Sequence, residues 1–181
     1  MAGRLPDKLY LRRLARAEAR VDGVLPSGQL ARLADVFAGA VADAVVQLDF
    51  GPSEIDLPRV AGKVATSAEF ECQRCLEPVS IELEADIELV LISPDDEAGR
   101  SRAAAAGVDV MEVGEEAIDL AAFIQDELLL TAPDYPMHGE HGGMPCKIDG
   151  QFVGQPKADE SPFAGLADLL EKTPESPTTG S

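Results

Sequence analysis

Cys72, Cys75 and Cys146 are all the cysteines of this chain, and His138 and His141 are all its histidines. Thiolate and imidazole are the donors that zinc prefers, four to a tetrahedron, and a C-x-x-C turn supplies two at a workable separation. Cys72-Gln73-Arg74-Cys75 is such a turn. The other half must come from the loop that ends at Cys146, some seventy residues later, so the fold has to join the two. His138 and His141 are too close together for both to serve alongside Cys146, which makes the candidate metal set Cys72, Cys75, His141 and Cys146. The expected cofactor is zinc, or none.

Two other readings of the same residues stand beside it. Cys72 falls on the apolar parity of its strand, where a free cysteine is a small buried hydrophobe, and solvated loop histidines need no ligand. Thiol redox work wants the first cysteine at a helix N-terminus, where the thiolate is stabilised. Here it stands at a strand end. No catalytic residues are assigned: nothing resembles a phosphate-binding glycine loop or a Ser/His/Asp arrangement, and both histidines sit in one loop.

Two long alternating segments must position the corner. From Val60 the even positions run Val60, Val64, Thr66, Ala68, Phe70 and Cys72, against Lys63, Ser67, Glu69 and Glu71 on the odd ones. After the turn the parity flips, with Val79, Ile81, Leu83, Ala85, Ile87 and Leu89 set against Ser80, Glu82, Glu84, Asp86 and Glu88. Period two over this length predicts a half-buried antiparallel hairpin. Its evenly spaced carboxylates read as a solvated face, not a catalytic pair.

Around the hairpin, Ala42 to Phe50 alternates in the same way and predicts another strand. Ser27 reads as the N-cap of a helix at about 28–39 carrying Leu30, Leu33, Ala34 and Phe37 on one face. Asp119 caps a helix whose stripe is Leu120, Phe123, Ile124, Glu127 and Leu128, ended by Pro133. Residues 1–20 read as an extended piece running into a helical turn, and Val21–Pro26 as a connection rich in breakers. Residues 93–107, acidic and then alanine-rich, read as a mobile exposed loop with room for a transient helical turn, and a short strand follows near 108–113.

The predicted fold class is α+β: an antiparallel sheet or small open barrel with a C-x-x-C hairpin, covered by two helices. One domain spans 1–146 with a basic N-terminal segment. A flexible acidic tail spans 147–181 and holds a short amphipathic helix at 161–171, where Ser161-Pro162 opens a run with Phe163, Leu166, Leu169 and Leu170.

Charge narrows the partners. The net charge is −18, with nine Lys/Arg against eight Asp/Glu in residues 1–68 and six against twenty-five thereafter. Such a body repels phosphate backbones, so sequence-independent nucleic-acid binding is disfavoured outside the basic first twenty residues. A basic protein suits the rest. No apolar run approaches the roughly 18 residues of a membrane span, and no apolar stretch follows the basic start as in a secretory signal. Three cysteines without an export signal fit a reducing cytosol, and a cytoplasmic location is expected.

Glu71-Cys72-Gln73-Arg74-Cys75-Leu76-Glu77-Pro78-Val79, then Ile118-Asp119-Leu120, Asp126-Glu127-Leu128-Leu129-Leu130 and Pro133, the loop ending at Cys146, and Ser161-Pro162-Phe163-Ala164-Gly165-Leu166-Ala167-Asp168-Leu169 occur in this order. Together they resemble the bacterial YceD family, the large ribosomal RNA subunit accumulation proteins, over about residues 20–172. The resemblance implies a ribosome biogenesis factor that is not an enzyme and supports synthesis, processing or stability of 23S rRNA by binding. The partner it implies is the large-subunit precursor, reached through a basic ribosomal protein or 23S rRNA. Some members carry a more cysteine-rich tail that would complete a zinc site, where this chain has His138, His141 and Cys146. The alternative class is a metal- or thiol-dependent enzyme centred on the Cys/His set.

Overall fold

The alternating segments pair over thirteen positions, from Glu71↔Pro78 back to Arg59↔Val90. They form β4 (Pro58–Glu71) and β5 (Pro78–Ile92) in a computed structural model that describes residues 5–37, 39–143 and 145–146. The parity flip has a direct structural meaning. Phe70 faces Val79, Ala68 faces Ile81 and Val64 faces Ala85, so the inward positions of one strand meet the inward positions of the other. A slip of one residue would turn the whole set out to solvent, which is what fixes the register.

β3 (Ala44–Pro52) extends the sheet antiparallel to β4, and β2 (Arg20–Leu25) lies antiparallel on β3. On the far side β6 (Val110–Glu112) runs parallel to the last three residues of β5. The order β2-β3-β4-β5-β6 leaves an open sheet, not a closed barrel, among the described residues. A second, two-stranded sheet joins β1 (Lys8–Leu9) to β7 (Ile118–Asp119).

Four α-helices accompany the sheets among the described residues: α1 (Leu11–Arg16), α2 (Ala31–Phe37), α3 (Glu97–Ala106) and α4 (Leu120–Leu130). The core takes Leu11 and Ala15 from α1, Leu33 and Phe37 from α2, and Leu120, Phe123, Ile124 and Leu128 from α4. These meet Val46, Leu48, Val60, Val64, Phe70, Ile81, Leu83 and Ile87 on one face of the sheet. Each large side chain so buried contributes roughly 1.5–3 kcal/mol. A satellite cluster of Leu57, Val90 and Ile92, packed by Ile55 and Val108, covers the other face at one end.

Asp119 caps α4 as its position predicts, its carboxylate accepting from the Ala122 N–H at 2.9 Å. The buried polar residue of α4 is Gln125, one place outside the predicted stripe. Its Oε1 accepts from the Arg32 N–H at 2.9 Å and its Nε2 donates to Ala121 O at 3.0 Å, which satisfies the amide and one free donor in the first turn of α2.

Several expectations are corrected. Val21–Pro26 is not a connection: residues 20–25 form edge strand β2, with Val21, Gly23 and Leu25 inward, because an edge tolerates the glycine that read as a breaker. The predicted mobile loop at 93–107 contains ten-residue α3, capped by Asp96 on the Gly99 N–H at 2.8 Å and closed by Gly107 at φ 66°. The helix expected at 28–39 is broken into a 3₁₀ turn, Ser27–Gln29, and α2, because Leu30 leaves helical geometry at φ −105°, ψ 36°. Ser27 is the first residue of the 3₁₀ turn, whose N-cap is Pro26, and its N–H donates to Asp43 Oδ1 at 2.7 Å. The acidic tail expected at 147–181 and its helix at 161–171 lie outside the described residues.

Candidate metal centre

The turn between β4 and β5 folds tightly on itself. Cys72 N–H donates to Glu77 O at 3.0 Å and Leu76 N–H donates to Cys72 O at 2.8 Å, while Leu76 takes φ 60°. The later loop is then tied to this turn by its backbone. Gln73 N–H donates to Pro136 O at 2.9 Å. Gly142 lies so close to β5 that a Cβ there would stand 2.3 Å from Ser80 O. The two halves that the sequence keeps some seventy residues apart are thus neighbours.

Cys72, Cys75, His138 and Cys146 come together, their donor atoms all within 4.8 Å of one another. Cys72 Sγ is 3.5 Å from Cys146 Sγ, and Cys146 Sγ is 3.8 Å from Cys75 Sγ. His138 Nδ1 is 3.3 Å from Cys75 Sγ and 3.9 Å from Cys146 Sγ. Zinc bond lengths set the donor–donor edges of a tetrahedron at roughly 3.5–3.8 Å, so these spacings fit the ion with small adjustments.

The outer contacts point the same way. His138 Nε2 lies 3.1 Å from Pro78 O, and a carbonyl only accepts, so Nε2 carries the proton and the Nδ1 lone pair turns toward the sulfurs. Burial resists ionisation of Cys72. The backbone N–H groups of His138, Cys75 and Arg74 and the His138 side chain outweigh it and bring that thiol down to about 5. Burial pushes Cys146 up to about 12, reinforced by its neighbours Cys72 and Cys75. The corner therefore favours one thiolate in the absence of a cation and resists a second.

Three of the four residues in the expected set, Cys72, Cys75 and Cys146, lie in this group. His141 does not. Its Nδ1 accepts from the Met137 N–H at 3.3 Å and its own N–H donates to Met137 O at 3.1 Å, so it closes the exposed turn that presents His138. Spacing alone gives no signal to choose between the two histidines. The choice follows from Gly142 seating on β5, which points position 138 inward and leaves 141 at the rim.

Fold and site together define an α+β protein with a Cys₃His corner at the turn of its central hairpin. The family described as large ribosomal RNA subunit accumulation protein YceD matches residues 60–170. Large ribosomal RNA subunit accumulation protein YceD of Haemophilus influenzae is 34% identical over 165 residues, covering 86% of this chain and 91% of that protein. The chain belongs to the YceD family. No solved structure matches it.

Proposed function

We propose that this protein is a cytoplasmic accessory factor of ribosome biogenesis that sustains large-subunit RNA by binding and not by catalysis. The observation that carries the reading is the similarity to a large ribosomal RNA subunit accumulation protein along nearly the whole length of both chains. No helix among the described residues is long and apolar enough to cross a membrane.

The Cys₃His corner supports a structural role for a bound ion. Cys72, Cys75, His138 and Cys146 would hold zinc with all four protein donors, whereas a catalytic zinc keeps one position open. The ion would supply cross-linking: it would fasten the loop ending at Cys146 to the hairpin turn. This favours the binding factor over the metal- or thiol-dependent enzyme.

For the contact with the large-subunit precursor, charge favours a basic ribosomal protein over 23S rRNA. The net charge is −18. The basic N-terminal segment is also engaged by its own protein, Arg12 and Arg16 each lying 3.7 Å from Glu115 and Arg20 3.6 Å from Asp49. Deleting the gene should lower mature large-subunit RNA relative to small-subunit RNA, and tagged protein should retain large-subunit precursors after RNase trimming of exposed RNA. An unchanged RNA ratio across several growth conditions would overturn the proposal.

A further inference from the structure

Cys146 Sγ stands 3.5 Å from Cys72 Sγ and 3.8 Å from Cys75 Sγ, so without an ion the three thiols lie in contact with one another. The three also differ in access. Cys72 and Cys146 are buried, and Cys75 is half-exposed at the rim of the turn. Oxidation is selective for accessible thiols, and a sulfenic acid formed next to a second thiol condenses with it to a disulfide. We infer that the corner is a site of reversible oxidation by hydroperoxides, in which Cys75 is the thiol attacked and Cys146 the thiol that resolves it.

In the first step the Cys75 sulfur attacks one peroxide oxygen. An S–O bond forms, the O–O bond breaks, and sulfur gives up two electrons. Cys75 becomes the sulfenic acid, and the departing alkoxide or hydroxide takes the thiol proton. In the second step Cys146 Sγ attacks Cys75 Sγ, the S–S bond forms and the S–O bond breaks. Water leaves with the Cys146 proton. The sum is two thiols and one hydroperoxide giving one disulfide, one alcohol or water, and one further water. Cys72, fully buried, takes no part in the exchange.

The product ties the same two segments that an ion would tie, so the loop stays fastened to the hairpin under oxidation. A bound ion would occupy both sulfurs and slow the reaction, an arm of the inference that rests on the metal reading above. The sulfur geometry stands without it.

The test treats the full chain with hydrogen peroxide, once after chelation and dialysis and once after loading with zinc, and maps disulfides by mass spectrometry of unreduced digests. In the stripped wild-type chain one intramolecular link, Cys75–Cys146, is expected, reversed by dithiothreitol. Cys75→Ser and Cys146→Ser should each lower the yield of linked chain at least about tenfold. A Cys72–Cys75 link with Cys146 free, sulfinic acid at Cys75 without a link, or chiefly intermolecular disulfides would overturn the inference. The wild-type map needs no variant to fold. Equal rates with and without zinc, with no metal retained, would overturn the metal reading and leave the Cys75–Cys146 link standing.

Discussion

His138 spans two contacts at once: its Nε2 is 3.1 Å from Pro78 O, the first residue of β5, and its Nδ1 is 3.3 Å from Cys75 Sγ in the turn before that strand. One ring therefore bridges the strand and the thiols. The carbonyl fixes both its tautomer and its orientation, in the manner of the outer partners of zinc-bound histidines. His141, three residues on, makes its contacts to Met137 instead and has none of this coupling.

The two histidines should accordingly separate in experiment. His138→Ala should abolish stoichiometric zinc retention and lower stability on the order of 4 kcal/mol, because structural metal binding is folding free energy. His141→Ala sits on an exposed turn, should retain the metal, and should change stability by less than about 0.5 kcal/mol. Elemental analysis and thermal melts of both variants decide the matter. Equal metal content in the two would assign the fourth donor elsewhere.

The central hairpin was legible because its parity is unbroken and both strands are long. Period two gives the pairing face directly, and the parity flip across the turn gives the register. β2 was not legible, since Gly23 and Pro26 are breakers to local reasoning and only pairing with β3 overrides them. α3 was missed because its evidence is local and weak: an Asp96 cap, a run of alanines and few apolar residues to mark a face. At the site, the residue types able to donate were readable, and three of the four side chains that gather there were among those expected. The fourth depended on how a glycine-rich loop seats against a strand some sixty residues away, and no periodicity in the loop encodes that.

Glu127 gives a pH dependence with a definite sign. Burial raises its carboxyl above the usual value of 4.5, and the neighbouring Asp126 charge raises it further. The folded state thus holds this proton more tightly than the unfolded state. As pH rises from about 4.5 through the raised folded value, the unfolded chain binds fewer protons and stability falls; above that window the penalty is fully present. Glu127→Gln keeps the shape and removes the charge, so it should be more stable than the parent at pH 7 and indistinguishable from it well below pH 4.5. Urea midpoints across pH 4 to 8 are the measurement. A constant difference over the whole range would mean that packing, not ionisation, separates the two.

Gly142 connects sheet packing to the corner. A Cβ at this position would lie 2.3 Å from Ser80 O and 3.7 Å from Ile81 Cα, and a strand carbonyl inside a thirteen-pair ladder has little room to retreat. Gly142→Ala should therefore lift the loop away from β5, at a cost of about 1–3 kcal/mol in line with overpacked positions elsewhere. The same displacement carries His138, whose bridge partner is Gly142, away from Cys75. The hairpin itself does not depend on the loop for its register. The variant should thus keep the β-sheet signature in circular dichroism while its zinc affinity falls at least tenfold. Gly143→Ala, where a Cβ would meet the His138 ring at 3.3 Å and stand in ordinary contact with Val79 Cγ2 at 3.9 Å, and where the backbone φ is 65°, serves as the comparison for glycine loss without collision with the strand backbone. A zinc affinity lowered equally by both substitutions would attribute the effect to backbone strain in the loop, and the seating of Gly142 on Ser80 would then not be what aims His138 at the thiols.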